Sequence, residues 1–251
     1  LAGGRMKKEH VITISALLIC WQIAASAVHN DILIPYPATV LMTFVSILTT
    51  ASSYLYIFRT VTLVLEGFLL SLICALICSI LSDSFPVFRR LFEPIQVILK
   101  TIPNVSYIIM ALIWLGAEGA VSAVSFMILF PVFFANFQTA MDQEGAHQKD
   151  AACLYEETFW MKLRYKTLPQ LYPSILQTGR TAASLGLKVG VMAEILGQVK
   201  QGIGKQLYLA KIFLDTSSLL AWTLVLILLS VLFDQLFKLL INYQKKEEFQ
   251  A

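Results

Sequence analysis

The sequence predicts an all-α, polytopic membrane protein with about six transmembrane helices plus short amphipathic helices. Three observations carry that prediction. Hydrophobic residues make up 57% of the 251-residue chain and charged residues only 14%, where a soluble domain carries about 25% charged residues. Apolar segments of about 20 residues, the length that crosses a hydrocarbon core, recur almost from end to end. Lys and Arg are divided unevenly among the gaps between those segments, as membrane topology requires.

The elements follow in order. Leu1 to Arg5 read as added residues ahead of a natural start at Met6, and residues 1–10 form an N-terminal tail. Val11–Val28 follows Lys7 and Lys8 as a signal peptide would. No small-x-small cleavage site and soluble domain come after it, so it reads as a retained first span. Pro35-Tyr36-Pro37 breaks the chain, and the Ser- and Thr-rich stretch to Tyr56 reads as an amphipathic surface helix. Five further spans are predicted over Thr60–Leu81, Ile95–Leu115, Val121–Ala140, Ile175–Val199 and Ser217–Ile241. Residues 11–244 are thus one transmembrane domain, and 245–251, beginning Lys245-Lys246-Glu247-Glu248, is a solvated tail.

With the N-terminus in the cytoplasm, twelve Lys and Arg residues fall inside and four outside, while Lys100, Arg180 and Lys188 lie within spans. Both termini are then cytoplasmic, as an even number of spans demands, and so is the long polar segment of about 140–172 between the fourth and fifth spans.

Several function classes are excluded. No basic stripe interleaved with aromatics points to nucleic acid. Cys74 and Cys78 sit one turn apart in an apolar run, without the further ligands a metal needs; Cys20 and Cys153 stand alone. The three histidines, His10, His29 and His147, make no HExxH pattern, and no span offers a nucleophile–base pair, so an intramembrane enzyme is disfavoured. No Gly-x-x-x-x-Gly-Lys-[Ser/Thr] occurs, so this chain has no ATP site and no cofactor of its own.

The polar segment from Asp142 to Pro169 carries Ala151, Ala152, Leu154, Tyr155, Phe159, Trp160 and Leu163 at helical spacings, which predicts two short amphipathic helices. Asp150 suits the N-terminus of the first, and Leu168-Pro169 ends the second. Such a helix either lies on the bilayer or docks in a partner's groove.

Asp150-Ala151-Ala152 followed eighteen residues later by Leu168-Pro169 resembles the EAA loop of ABC importer permeases. The family's glycine position is occupied by Glu156, and Lys166 stands where a hydrophobic residue is usual. Glu156 does not take φ > 0 cheaply, so the turn between the two short helices is reshaped or helical here. The likeness extends over roughly residues 35–240. Pro94, Ile102-Pro103-Asn104 and Ile113-Trp114-Leu115-Gly116 look like the nitrate/sulfonate/taurine branch. So do the run from Arg59 to Phe68, Gly186 to Gly197, and Gly202-Ile203-Gly204. The resemblance implies a permease subunit in a bacterial cell membrane, paired with a second permease. ABC ATPase subunits would bind ATP and Mg and attach through Asp150, Ala151, Ala152, Leu154, Tyr155, Glu156, Trp160, Leu168 and Pro169. A solute-binding protein would deliver solute at the outer face. The alternative, an ion-coupled secondary transporter, calls for paired broken helices and a coupling-ion site.

Charges inside spans mark functional sites by default. Glu66, Arg180, Lys188 and Glu194, with Gly202 and Gly204, are the pathway or gate candidates. Lys188 and Glu194, six residues apart, face about 120° from one another. Glu194 pins the outer loop or contacts solute. Lys188 meets an anionic solute or neutralises Glu66. Arg180 lies near the inner end, within reach of a pairing partner. Gly186 and Gly190 form a small-xxx-small face, spent within the bundle or at a two-permease interface.

Overall fold

The computed structural model describes residues 2–142 and 159–248. These are helical almost throughout, with no strand among them. In chain order the helices are α1 (Ala2–Val28), α2 (Pro37–Thr49), α3 (Ala51–Ser84), α4 (Pro86–Thr101) and α5 (Asn104–Asp142). After the undescribed stretch come α6 (Phe159–Lys162), a wide π-helical turn (Leu163–Thr167), α7 (Leu168–Gly197), α8 (Ile203–Ile212) and α9 (Thr216–Glu248).

By length and apolarity, three of the described helices qualify as spans: α3, α5 and the Thr216–Tyr243 part of α9. The 30-residue α7 is also long enough, about 45 Å at 1.5 Å per residue, but it carries Arg180, Lys188 and Glu194. Ile12–Val28 of α1 is a shorter apolar helix. The chain is therefore a polytopic helical membrane protein.

α5 is the centre of the bundle, with α3 and α7 packed along it. Its side chains from Val121 to Phe137 are mostly buried. Towards one end Val64 of α3 and Leu187 of α7 pack against Ile108, Val121 and Val124. Towards the other, Phe68 meets Phe133 edge-on at 5.2 Å and Phe92 lies against Phe134 at 4.9 Å. Lipid removes the hydrophobic drive between such helices, so close packing has to hold them. Two glycines permit it. A Cβ on Gly67 would sit 2.4 Å from the Ser122 carbonyl oxygen, and one on Gly190 would sit 2.3 Å from Val64 Cγ2. The Gly186–Gly190 face is thus spent inside this chain, against α3 and α5.

Three sequence expectations need correction. The third span, Ile95–Leu115, is not one helix: Ile102 turns extended before Pro103, and α4 ends there. Gly116 (φ 71°, ψ −179°) then breaks α5 before Ala117, in a region that only glycine occupies without strain. Second, Leu168-Pro169 does not end a helix. Proline in a first turn has no N–H to strand, so with the π turn before it α7 starts at Leu168, seven residues before the expected Ile175. Third, the stretch from Pro35 to Tyr56 is not one surface helix. Thr50 is extended, separating α2 from the start of α3, and α2 buries Val40 and Ile47 against Ala221, Trp222 and Val225 of α9.

Candidate functional site

At the end of the bundle where α3 starts and α7 stops, a buried polar knot forms. Glu194, in the last turn of α7, is fully buried. Its Oε1 accepts from Thr60 Oγ1 at 2.8 Å, and its Oε2 accepts from the same hydroxyl at 3.0 Å. The Gly204 N–H donates to Oε2 at 2.7 Å, and the Ile203 N–H donates to Thr60 Oγ1 at 2.8 Å. One carboxylate and one hydroxyl therefore cap the start of α8 and tie it to α3 and α7. The glycines are required by this geometry. Gly202 has φ 151° and ψ 169°, and a Cβ there would lie 2.6 Å from Glu194 Oε1. A Cβ on Gly204 would lie 2.4 Å from Glu194 Cβ. Gln198, in the left-handed region, turns the chain out of α7. At this same end Arg59 pairs with Glu118 at 2.5 Å, beside the Gly116 break.

Deeper in the bundle the other charges separate. Lys188 is exposed and lines a groove of about 460 Å³ with Ser184, Thr223, Ser230 and Asp234, between α7 and α9. Six residues from Glu194, it faces another way, as the helical angle requires. Glu66 is also exposed but faces α5, where it accepts from Ser122 Oγ at 2.9 Å. No ion pair joins Glu66 to Lys188 among the described residues. Arg180 pairs with Asp234 of α9, and Lys238 reaches the same carboxylate at 2.8 Å.

At the far end Arg89 of α4 grips Asp142, the last described residue of α5, through two bonds of 2.9 and 2.6 Å. Gln170 Nε2 donates to the Ala140 carbonyl at 2.8 Å, so α5 and α7 leave the core side by side. Asp150, Ala151, Ala152, Leu154, Tyr155 and Glu156 lie outside the described residues. Trp160 is 72% exposed, and Leu168 and Pro169 are exposed at the start of α7.

Three participants were missed by sequence reasoning. Thr60 and Ser122 are hydroxyls in apolar runs, with no spacing signal to single them out. Asp234 did carry one, being a lone carboxylate within a predicted span.

Membrane-length helices around a packed centre, with one carboxylate fully buried among them, define a polytopic membrane protein. Residues 67–242 match the family described as binding-protein-dependent transport system inner membrane component, and this chain belongs to that family. It is the transmembrane permease of an ABC importer. It is 21% identical over 229 residues to the "Putative aliphatic sulfonates transport permease protein SsuC" of Bacillus subtilis, covering 90% of this chain and 82% of that one. It is 24% identical over 181 residues to the glycine betaine/carnitine transport permease protein GbuB of Listeria monocytogenes, covering 71% and 63%. Over 122 residues it is 30% identical to the osmoprotectant import permease protein OsmW of Salmonella typhimurium, covering 49% and 55%.

Proposed function

We propose that this permease receives ATP-driven motion through the segment of about residues 140–172 and gates its solute path at the Glu194 knot. The observation that carries this reading is the opposite placement of the two features. α5 and α7 leave the core together at the Asp142 end, presenting the intervening segment there, while Glu194, Thr60, Gly202 and Gly204 close the other end. On this reading the Asp142 end and both termini are cytoplasmic. ABC ATPase subunits bind ATP and Mg and dock on Asp150-Ala151-Ala152 and the residues to Pro169. A second permease subunit completes the path, and an extracytoplasmic solute-binding protein delivers to the Glu194 end.

Lys188, with Ser184, Thr223 and Ser230, offers a cation and three hydroxyls in the α7–α9 groove, beside Asp234, whose charge Arg180 and Lys238 offset. That chemistry fits a small solute bearing an acidic group. Relatives named for aliphatic sulfonates and for glycine betaine are consistent with such a solute.

The test is co-purification with an ATPase subunit. Ala152→Arg abolishes attachment if Ala152 sits in a close-fitting ATPase cleft; unaltered assembly removes the docking assignment. Lys188→Met changes solute-stimulated ATPase activity if Lys188 lines the path, and unchanged stimulation assigns it to the scaffold. Transport in liposomes without any ATPase would sink the mechanism.

A further inference from the structure

Between α6 and α7 lies the π-helical turn Leu163–Thr167. Such turns are rare, because their hydrogen-bond geometry is poorer than that of the α-helix, and they recur at functional sites. On the α7 side the chain is held. Thr167 and Leu171 are buried, Gln170 Nε2 donates to the Ala140 carbonyl at 2.8 Å, and Ser174 Oγ donates to the Asn136 carbonyl at 3.4 Å. On the α6 side Trp160 and Met161 are 72% and 57% exposed, and Tyr165, in the turn itself, is 74% exposed. The turn is thus a joint between an anchored helix and a projecting one.

Pro169 accounts for the turn. In unbroken α pairing the Tyr165 carbonyl takes the N–H of residue 169, four residues on. Proline has no N–H, and its ring presses on that carbonyl. Pairing over five residues moves each carbonyl's donor one residue along and relieves the clash. Each register therefore carries one defect. The wide turn has poor hydrogen-bond geometry, while the α turn leaves the Tyr165 carbonyl without a helical donor. Tyr165 is exposed, so water answers that carbonyl at small cost. Two arrangements of similar cost make a bistable element.

We propose that this turn is a two-register hinge, which exchanges π for α pairing as the docked ATPase subunits close. The inference rests on the reading that those subunits dock on the segment before Pro169. A change of register takes up one residue's step, so α6 turns by about 100° and shifts by about 1.5 Å relative to α7. The side chains suit such a step. Leu168 and Tyr172 are exposed on α7, four residues apart and so in one row. Traced back in α pairing, that row runs through Tyr165 to Met161. The extra residue of the wide turn puts Trp160 in the place of Met161. The hinge exchanges one large apolar side chain for another in the same row, so a partner seated on it keeps an apolar contact in both states. α7 meanwhile stays fixed to α5.

The test places spin labels at Met161→Cys and Gln177→Cys, both exposed positions, in the full chain with its native cysteines replaced by serine. Pulsed-dipolar distances are measured in nanodiscs, first for the permease alone and then trapped with its ATPase subunits and a non-hydrolysable ATP analogue. The distance is expected to shift by about 5 Å on trapping, the swing of a side chain carried around the helix. Pro169→Ala restores the missing N–H, so the α register should gain about tenfold in population. The trapped distance should then be present before any nucleotide is added. Amide exchange of the permease alone is a readout independent of docking: residues 163–168 should exchange about tenfold more slowly in Pro169→Ala than in the parent. Pro173→Ala, one turn on where α7 is already anchored, should match the parent in both readouts, and thermal unfolding identifies any misfolded variant. A parent that captures no ATPase subunit overturns the docking reading, and the hinge as its relay with it. Capture with an unchanged distance overturns the hinge alone. So does a Pro169→Ala chain that keeps the parent's distance and exchange, or a Pro173→Ala chain that locks equally well.

Discussion

Replacing Glu194 by alanine and by glutamine separates what the buried knot needs from what it merely tolerates. Alanine removes every acceptor. The Gly204 N–H, now 2.7 Å from Oε2, and the Thr60 hydroxyl, 2.8 Å from Oε1, are both left in a fully enclosed site. Each stranded donor costs about 1–3 kcal/mol, and the void adds a cavity penalty, so the total loss is about 4 kcal/mol. Glutamine behaves differently. With its oxygen at the Oε2 position it still accepts from Gly204 and Thr60. Its Nε2, at the Oε1 position, donates to Thr60 Oγ1. Every donor of the native knot keeps a partner, one amide hydrogen is left over, and the loss is about 1 kcal/mol from that hydrogen and the weaker, uncharged bonds. For a chain of this size 1 kcal/mol moves the midpoint by about 2–4 °C. Thermal unfolding in one detergent should therefore show Glu194→Ala about 8–16 °C below the parent and Glu194→Gln within about 4 °C of it. Thr60→Val combined with Glu194→Ala should lose less than the sum of the two single changes, because both remove the same bonds. Equal losses for alanine and glutamine, or no loss for alanine, would refute the reasoning.

Other outcomes follow from the same geometry. Gly190→Ala drives a methyl into Val64 Cγ2, 2.3 Å away. It should lower thermal stability by about 1–3 kcal/mol, and Val64→Ala in the same chain should restore part of the loss. Gly202→Ala combines a forbidden backbone angle with a 2.6 Å contact to Glu194. Its proteolysis should open between α7 and α8 before any other cleavage appears. Exchanging Arg59 and Glu118 should change stability by less than about 1 kcal/mol, as is usual for exposed ion pairs; a larger loss on a thermal scan would mean the pair is not governed by solvent. Asp234→Asn removes the shared partner of Arg180 and Lys238 and should reduce the membrane-inserted yield, whereas Arg180→Met leaves Asp234 with Lys238 and should be milder.

Helix identity was legible because lipid enforces it: long apolar runs marked α3, the second part of α5, α7 and α9, with ends within about two and a half turns. The breaks were less so. Apolarity continues across Ile102-Pro103 and Gly116, and a hydropathy pattern carries no backbone angle. Glu194 stood out as a carboxylate in a span, and Gly202-Ile203-Gly204 stood out as a motif. Their meeting through Thr60, 134 residues from Glu194, is a tertiary fact that no spacing reports. The same limit explains Lys188 and Glu66: the helical angle separates Lys188 from Glu194, but only packing shows that Glu66 faces Ser122.

The two ends of the bundle are also closed by different physics, and this has a mechanical consequence. At the Glu194 end a fully buried carboxylate binds α3, α7 and the start of α8 through bonds with no competing water. Opening it strands donors and is expensive. At the Asp142 end Arg89 and Asp142 are 44% and 50% exposed, so water replaces their bonds at a cost of ~0–1 kcal/mol. A chain that must change shape yields first where its closures are cheap. Local opening should therefore concentrate where α4 meets the end of α5, next to the 140–172 segment, while the Glu194 knot moves as one piece with the turn it caps. Amide hydrogen exchange checks this directly: the Gly204 and Ile203 amides should be among the slowest outside the bundle centre. Exchange there as fast as in the first turn of α4 would place the compliant end of this permease at the knot instead.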